Sequence, residues 1–258
     1  MSSSTLDFPN TSRAAVIIKA APDIGRKHGE TVCVAGIDFE GQWHRLYPVP
    51  FRDLSEKQKF SRWDILEFEW RKAPDDDRAE SKRINPQTLK VVGSVPPRER
   101  HSFARRALVE DVDKQLDGGK SFALIRPTNV RFRIYQLPHS ELQKELAARE
   151  ALHKQTDMFS DPSISREPPP YRFNYRFDFA GKRRNYNCID WETEATFFKW
   201  RAKHGEDKTL ELMAEKFDKE LPAKGVAFAM GTHRNANWRN WLLSGVLRVD
   251  REVQPTLF

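Results

Sequence analysis

Apolar residues cluster in short runs along most of the chain, and several of these runs alternate with polar positions at the period of a half-buried strand. Residues 14–19 (AAVIIK), 32–39 (VCVAGIDF) and 43–47 (WHRLY) are β-rich and separated by Gly- and charge-rich turns at 25–29 and 40–41, which predicts a meander of short strands. Residues 64–70 (DILEFEW) alternate apolar with acidic side chains until Asp75, Asp76 and Asp77 break the pattern. Residues 89–95 (LKVVGSV) give a further strand, stopped by Pro96 and Pro97. A helix is predicted from about 98 to 116, ending at Gly118 and Gly119. Residues 122–125 and 130–136 (VRFRIYQ) return to the strand pattern. A second helix over about 140–153 places Leu142, Leu146 and Leu152 on one side.

Residues 156–170 turn rich in Pro and Ser with little to bury, and predict a linker. Beyond it, 171–179 (YRFNYRFDF) sets an aromatic ring at every second position, with Arg172, Asn174, Arg176 and Asp178 between them. Two helices are expected over about 191–203 and 208–220. Strands follow at 226–230 (VAFAM) and 241–249 (WLLSGVLRV), with the loop GTHRNANWRN between them. Strand and helix do not alternate regularly, so a parallel α/β sheet is disfavoured. The expected fold is mainly β with inserted helices, of the α+β class.

Composition narrows the class. The chain has 258 residues, 38% of them apolar and 31% charged, enough for one large or two small domains with modest cores. No run has the length of a membrane span and the N-terminus lacks the regions of a signal peptide, so a cytoplasmic protein is expected. Cys33 and Cys188 cannot build a disulfide framework or a four-thiolate zinc site, and each reads as a small core residue. Forty-four Lys and Arg against thirty-seven Asp and Glu give a net charge of +7. The excess is local. Residues 171–189 carry five basic residues and only Asp178 as an acid; residues 222–249 carry four basic residues and no acid. Between them, 206–221 holds six acids and three lysines, the pattern of the outer face of a helix.

Several scattered segments carry a family likeness. They are Cys33-Val-Ala-Gly-Ile-Asp, Gly41-Gln-Trp-His-Arg-Leu-Tyr-Pro-Val-Pro-Phe-Arg, Cys188-Ile-Asp-Trp-Glu, Phe228-Ala-Met-Gly-Thr-His and the strand at 241–249. Together they resemble a bacterial family known as dual OB-fold domain proteins, over most of the chain outside the linker and the two ends. The resemblance implies two small five-stranded barrels, often encoded in mobile or defence-associated contexts, with no established chemistry. On this reading 1–155 is an N-terminal OB-like barrel with helical insertions and 156–170 the linker. Residues 171–251 form a C-terminal OB-like barrel with a helical insertion, and 252–258 a tail.

A barrel accepts a ligand on one face without specifying which. Nucleic acid needs rings that stack bases among cations that follow phosphates. Around 171–184 both are present, and Arg172, Arg176, Lys182, Arg183 and Arg184 are candidate contacts to DNA. The alternative is that the rings are core and the arginines a wet face, which still leaves the arginines available. His233, Arg234, Trp238 and Arg239 make a basic, aromatic loop between strands, where OB-folds commonly meet oligonucleotides; an ordinary solvated loop is the alternative.

Two pentapeptides fit Gln-x-x-(Leu/Met)-Phe: Gln155, Met158 and Phe159 at the linker, and Gln254, Leu257 and Phe258 at the end of the sequence. Both resemble the peptide by which polymerases and repair proteins dock on the bacterial β sliding clamp. Adjacent apolar side chains suit a small hydrophobic pocket, and a Gln amide can donate and accept at its rim. With eight Gln in the chain, chance alone gives about 0.05 matches. Because the clamp is a symmetric dimer, two peptides add avidity where the spacing allows. Packed helix and chain ends are the alternatives.

Catalytic signals are weak. The seven histidines stand singly, no metal-ligand spacing or Gly-rich phosphate loop occurs, and no cofactor or metal is expected. Asp77, Glu80 and Lys82 faintly resemble a nuclease constellation, but read better as a surface charge cluster. The leading expectation is a DNA-binding adaptor that docks on the clamp and acts in, or interferes with, replication or repair. A nuclease or accessory subunit of a phage-defence or mobile-element system, and a protein-only interaction module, are the alternatives.

Overall fold

The structure is a computed structural model that describes residues 8–20, 23–25, 29–51, 54–156, 168–232 and 240–250. Seven strands come first: β1 (Asn10–Lys19), β2 (Asp23–Gly25), β3 (Gly29–Ile37), β4 (Trp43–Val49), β5 (Asp64–Lys72), β6 (Ser81–Ile84) and β7 (Lys90–Ser94). They hydrogen-bond in the order β1-β3-β4-β6-β5, and β5 returns to β1, closing a five-strand barrel. Among the described strands of the barrel, β4 and β6 run parallel and the other neighbours antiparallel. Alternation along β1 explains the barrel's filling: Ala14 and Val16 point inward with Val34, Leu46, Leu66, Phe68 and Ile84, whereas Ala15 and Ile17 point outward into a second core. Truncating the fully buried Phe68 to Ala costs about 3–5 kcal/mol.

The helix expected over 98–116 is two short ones, α1 (Arg100–Arg105) and α2 (Val112–Asp117). The break has a local cause. Val109 donates its amide to the Leu124 carbonyl, and the Asp111 carboxylate caps α2 by accepting from the amides of Asp113 and Lys114. Next come β8 (Phe122–Ile125), β9 (Thr128–Gln136) and α3 (His139–Thr156). After these lie β10 (Tyr171–Phe179), β11 (Lys182–Asn187), α4 (Trp191–His204) and α5 (Glu206–Ala214). A π-helical stretch over Glu215–Glu220 leads into α6 (Leu221–Lys224), β12 (Val226–Thr232) and β13 (Trp241–Arg248).

Among the described residues the strands after the barrel form two separate three-stranded sheets, β13-β12-β8 and β11-β10-β9, where the sequence predicted a second barrel. The sheet β13-β12-β8 lies in the middle. Phe122, Leu124, Ala227, Ala229 and Leu247 face the outside of the barrel, and Ala123, Ile125, Phe228, Met230 and Leu243 face the other sheet. Burial on both faces is why its strands read as unbroken apolar runs. The contact with the barrel is close: a Cβ on Gly245 would stand 3.2 Å from the Ala229 Cβ and 3.3 Å from the Ile17 carbonyl oxygen.

β9 and β10 pair antiparallel, from Gln136 opposite Tyr171 to Thr128 opposite Asp178. The segment expected to separate two units therefore joins neighbouring strands of one sheet. The physical reason is the inward row Val130, Phe132 and Ile134 of β9, which packs in the same core as Phe173, Tyr175 and Phe177 of β10. Phe197 of α4, Met213 of α5 and Phe217 close that core. Among the described residues no helix is long and apolar enough to cross a membrane.

Candidate nucleic-acid interface

The alternation of β10 puts Phe173, Tyr175 and Phe177 into the core and Arg172, Asn174, Arg176 and Asp178 on the opposite face of the sheet. The rings are thus core, and the arginines are the wet side. Pairing extends this face in both directions. β9 contributes Arg131, Arg133 and Tyr135, in register with Arg176, Asn174 and Arg172 respectively. β11 contributes Arg183, Asn185 and Asn187, in register with Asp178, Arg176 and Asn174. The Asn174 amide donates to the Asn187 side chain at 3.1 Å. Five arginines, one tyrosine and three asparagines therefore share one outer face.

Its electrostatics are unbalanced. Arg131 stands directly opposite Arg176 on the adjacent strand, a like-charge pairing that weakens a sheet by itself. Arg176 hydrogen-bonds the Tyr135 hydroxyl at 3.4 Å, and neither Arg133 nor Arg176 forms an ion pair with a described residue. Arg131 has only a distant carboxylate, Asp218 at 3.8 Å, whose other oxygen accepts the Phe132 amide on the outer edge of β9. Arg183 is 84% exposed and 3.4 Å from Asp178, whose carboxyl is held below the usual range by a hydrogen bond from Asn129 and by Arg183 itself. Arg172 is engaged more fully. Two carboxylates from the first turns of α3, Glu141 at 3.0 Å and Glu145 at 3.3 Å, lie on its guanidinium. Arg172 and Glu141 are exposed and Glu145 is partly so, and the cluster contributes about 1 kcal/mol or less and opens easily.

Two of the basic residues expected here lie elsewhere. Lys182 is in register with Phe179 and Arg184 with Phe177, so both belong to the inner side of β11. There they meet Asp113 of α2, at 2.8 and 3.5 Å, and these contacts lower the Asp113 pKa. His233, Arg234, Trp238 and Arg239 lie outside the described residues, as do Met158, Phe159, Gln254, Leu257 and Phe258; Gln155 falls on the last turn of α3. Thr232, the last described residue before His233, is held on both sides of its peptide. The Thr232 amide donates to the Ser121 carbonyl, and the Thr232 carbonyl accepts from Arg78 at 3.1 Å.

A second set of charges lies between the barrel and the central sheet, all with internal partners. Arg62 donates to Asp190 at 2.6 Å and to the Val246 carbonyl, and Glu192 stands 3.6 Å away, with Lys19 on its far side at 3.4 Å. The second Asp190 oxygen accepts from the Val246 amide and the Thr193 hydroxyl, each at 3.3 Å. Burial works against the Arg62 cation, and Asp190 and Glu192 more than reverse it; burial pushes the Asp190 carboxyl up against the pull of Arg62. The chain reaches this point through Trp63, whose φ of 75° is costly for so bulky a residue. Cys188, Asp190 and Glu192 of the quoted Cys-Ile-Asp-Trp-Glu segment thus serve packing and this ion cluster. The Cys188 thiol is fully buried and its pKa is pushed well up.

Glu80 was expected on the surface and is 5% exposed. It accepts the Ser121 amide at 2.9 Å and the Ser121 hydroxyl at 3.3 Å, and Ser121 also accepts from the buried Arg45, whose guanidinium lies 3.9 Å over the Phe122 ring. Beside it, Arg78 grips Asp76 through two hydrogen bonds of 2.8 and 2.6 Å. Burial raises the Asp76 pKa, but Arg78 and Ser81 overcome it and hold it at about 2. Lys82 points away, 3.7 Å over Trp70. Glu80 is thus committed to Ser121 and Lys82 to the Trp70 ring. Among the described residues no group of three or more His, Cys, Asp or Glu could hold a metal ion.

The outer face of β11-β10-β9 was only half legible in advance. Arg131, Arg133 and Tyr135 alternate with apolar residues in VRFRIYQ, which marks them as surface, but no local signal places them beside Arg172 and Arg176. Residues 102–258 match a family described as Domain of unknown function (DUF8757), and residues 10–111 match one described as Domain of unknown function (DUF8758). The first covers more than half the chain, including both three-stranded sheets, and the second covers the barrel. No curated protein matches the chain.

Proposed function

We propose that this chain, which belongs to the family described as Domain of unknown function (DUF8757), is a nucleic-acid-binding adaptor that docks on the bacterial β sliding clamp. It acts in DNA replication or repair, or interferes with them. The observation that carries the nucleic-acid half is the opposed pair Arg131 and Arg176, flanked by Arg133, Arg172 and Arg183. Two guanidiniums face to face gain nothing from each other, whereas a phosphate placed between them accepts charge-assisted hydrogen bonds from both. The barrel supports the same reading. Its three-strand meander, followed by two strands that close on the first, is OB-like, and such barrels commonly hold oligonucleotides. His233, Arg234, Trp238 and Arg239 would add contacts of the same chemistry.

The clamp half rests on the two sequence peptides ending in Phe159 and Phe258. A mobile-element or phage-defence setting follows from the resemblance to dual OB-fold proteins. Two titrations of the full chain test the proposal. Labelled DNA binds at low salt and is released steeply as salt rises, because phosphate contacts displace counterions. Purified clamp binds the wild type, and Gln155→Ala with Phe159→Ala in a chain lacking 254–258 does not bind. Undiminished clamp binding by that variant, or none by the wild type, removes the clamp half. Absent or salt-insensitive DNA binding removes the other half and leaves a protein-only interaction module.

A further inference from the structure

We infer that the outer face of β11-β10-β9 takes double-stranded nucleic acid by its phosphates, without reading base sequence; this rests on the nucleic-acid reading above and specifies its substrate. A single strand is held by bases stacked on rings. On this face the rings are spent: Phe173, Tyr175 and Phe177 are 2% exposed or less, and Tyr135 alone, at 43%, is presented outward. Against that one ring stand five guanidiniums. They are not in one line, as a single phosphate chain would need, but on all three strands: Arg131 and Arg133 on β9, Arg172 and Arg176 on β10, Arg183 on β11.

The spacing fits two phosphate rows. Adjacent strands are about 4.8 Å apart, so Arg183 of β11 stands at least roughly 10 Å from the arginines of β9, and farther because its partner Asp178 is level with Thr128, three residues before Arg131. Extended guanidiniums at that separation straddle a minor groove of about 6 Å and reach the backbone on either side. Within β9, Arg131 and Arg133 are two residues apart, about 7 Å, comparable with the step between successive phosphates of one strand. The asparagines beside the arginines, Asn174 on β10 and Asn185 and Asn187 on β11, have shorter side chains, leaving the guanidiniums to protrude.

The test is fluorescence anisotropy of the full chain with two 20-base-pair DNA duplexes of unrelated sequence and with a single strand of equal length, over a series of salt concentrations. Expected are tighter binding of both duplexes than of the single strand, duplex affinities within about twofold of each other, and less than a threefold change in Tyr135→Ala. Arg133→Gln/Arg176→Gln, checked for an unchanged circular dichroism spectrum, weakens duplex binding by more than tenfold and lowers the salt slope by about 2. Preference for the single strand, with tenfold loss in Tyr135→Ala, overturns the duplex inference and keeps the nucleic-acid reading. Absence of binding to any of the three DNAs overturns that reading itself.

Discussion

The arginines between the barrel and the central sheet and the arginines outside β11-β10-β9 share a side chain and little else. Arg62 and Arg78 are nearly enclosed, each gripping a carboxylate at 2.6 Å, and the same groups also bond backbone carbonyls across the seam. On the outer sheet, Arg133 and Arg176 pair with no described carboxylate, and Arg131 is set against Arg176. Charge satisfied inside the fold holds two layers together. Charge set against like charge and left in solvent is open to an anion from outside. Net charge cannot separate these cases, since both sets count equally toward +7.

The largest effect that would break this contrast is at the seam. Asp190→Ala leaves Arg62 buried without its main partner and should cost about 3–5 kcal/mol in denaturant unfolding, while Arg62→Met/Asp190→Leu recovers most of the loss. DNA affinity of the folded fraction stays unchanged in both. Next is acid. The Asp76 pKa is lowered to about 2 from an ordinary 3.8, so its contribution of about 2 kcal/mol is complete above pH 4 and is lost as pH falls toward 2. Asp76→Asn should lower stability at neutral pH and flatten that acid limb, measured by urea melts between pH 2 and 6. On the outer sheet, Glu141→Gln/Glu145→Gln releases Arg172 and should tighten DNA binding by about two- to fivefold through charge contacts of modest size. The exposed Glu211→Gln/Glu215→Gln, whose carboxylates pair with Lys208 and Lys219, changes net charge equally, serves as the control and should change binding less.

Local pattern and long-range pairing explain what was legible in the sequence. The strands at 14–19, 64–70 and 171–179 are apparent because alternation is a property of neighbouring residues, and for 171–179 it also tells which side chains are core. The partnership of β9 with β10 is not apparent, because 34 residues separate Gln136 from Tyr171 and nothing in either strand names the other. That one pairing moved Arg131, Arg133 and Tyr135 into the site and replaced a second barrel with a three-stranded sheet. Alternation also explains why Lys182 and Arg184 left the site while Arg183 stayed. Glu80 was misplaced for a similar reason: its polarity suggests surface, and the group that permits its burial, Ser121, is 41 residues away. The clamp peptides stand on sequence pattern alone.

One variant tests the contrast most directly: Arg131→Gln/Arg176→Gln, with unfolding and duplex DNA binding measured on the same preparation. Removing two opposed cations should leave stability equal or higher by about 0.2–1 kcal/mol, while DNA affinity falls more than tenfold. Lower stability with undiminished DNA affinity would make these arginines structural, like those of the seam, and would contradict the account.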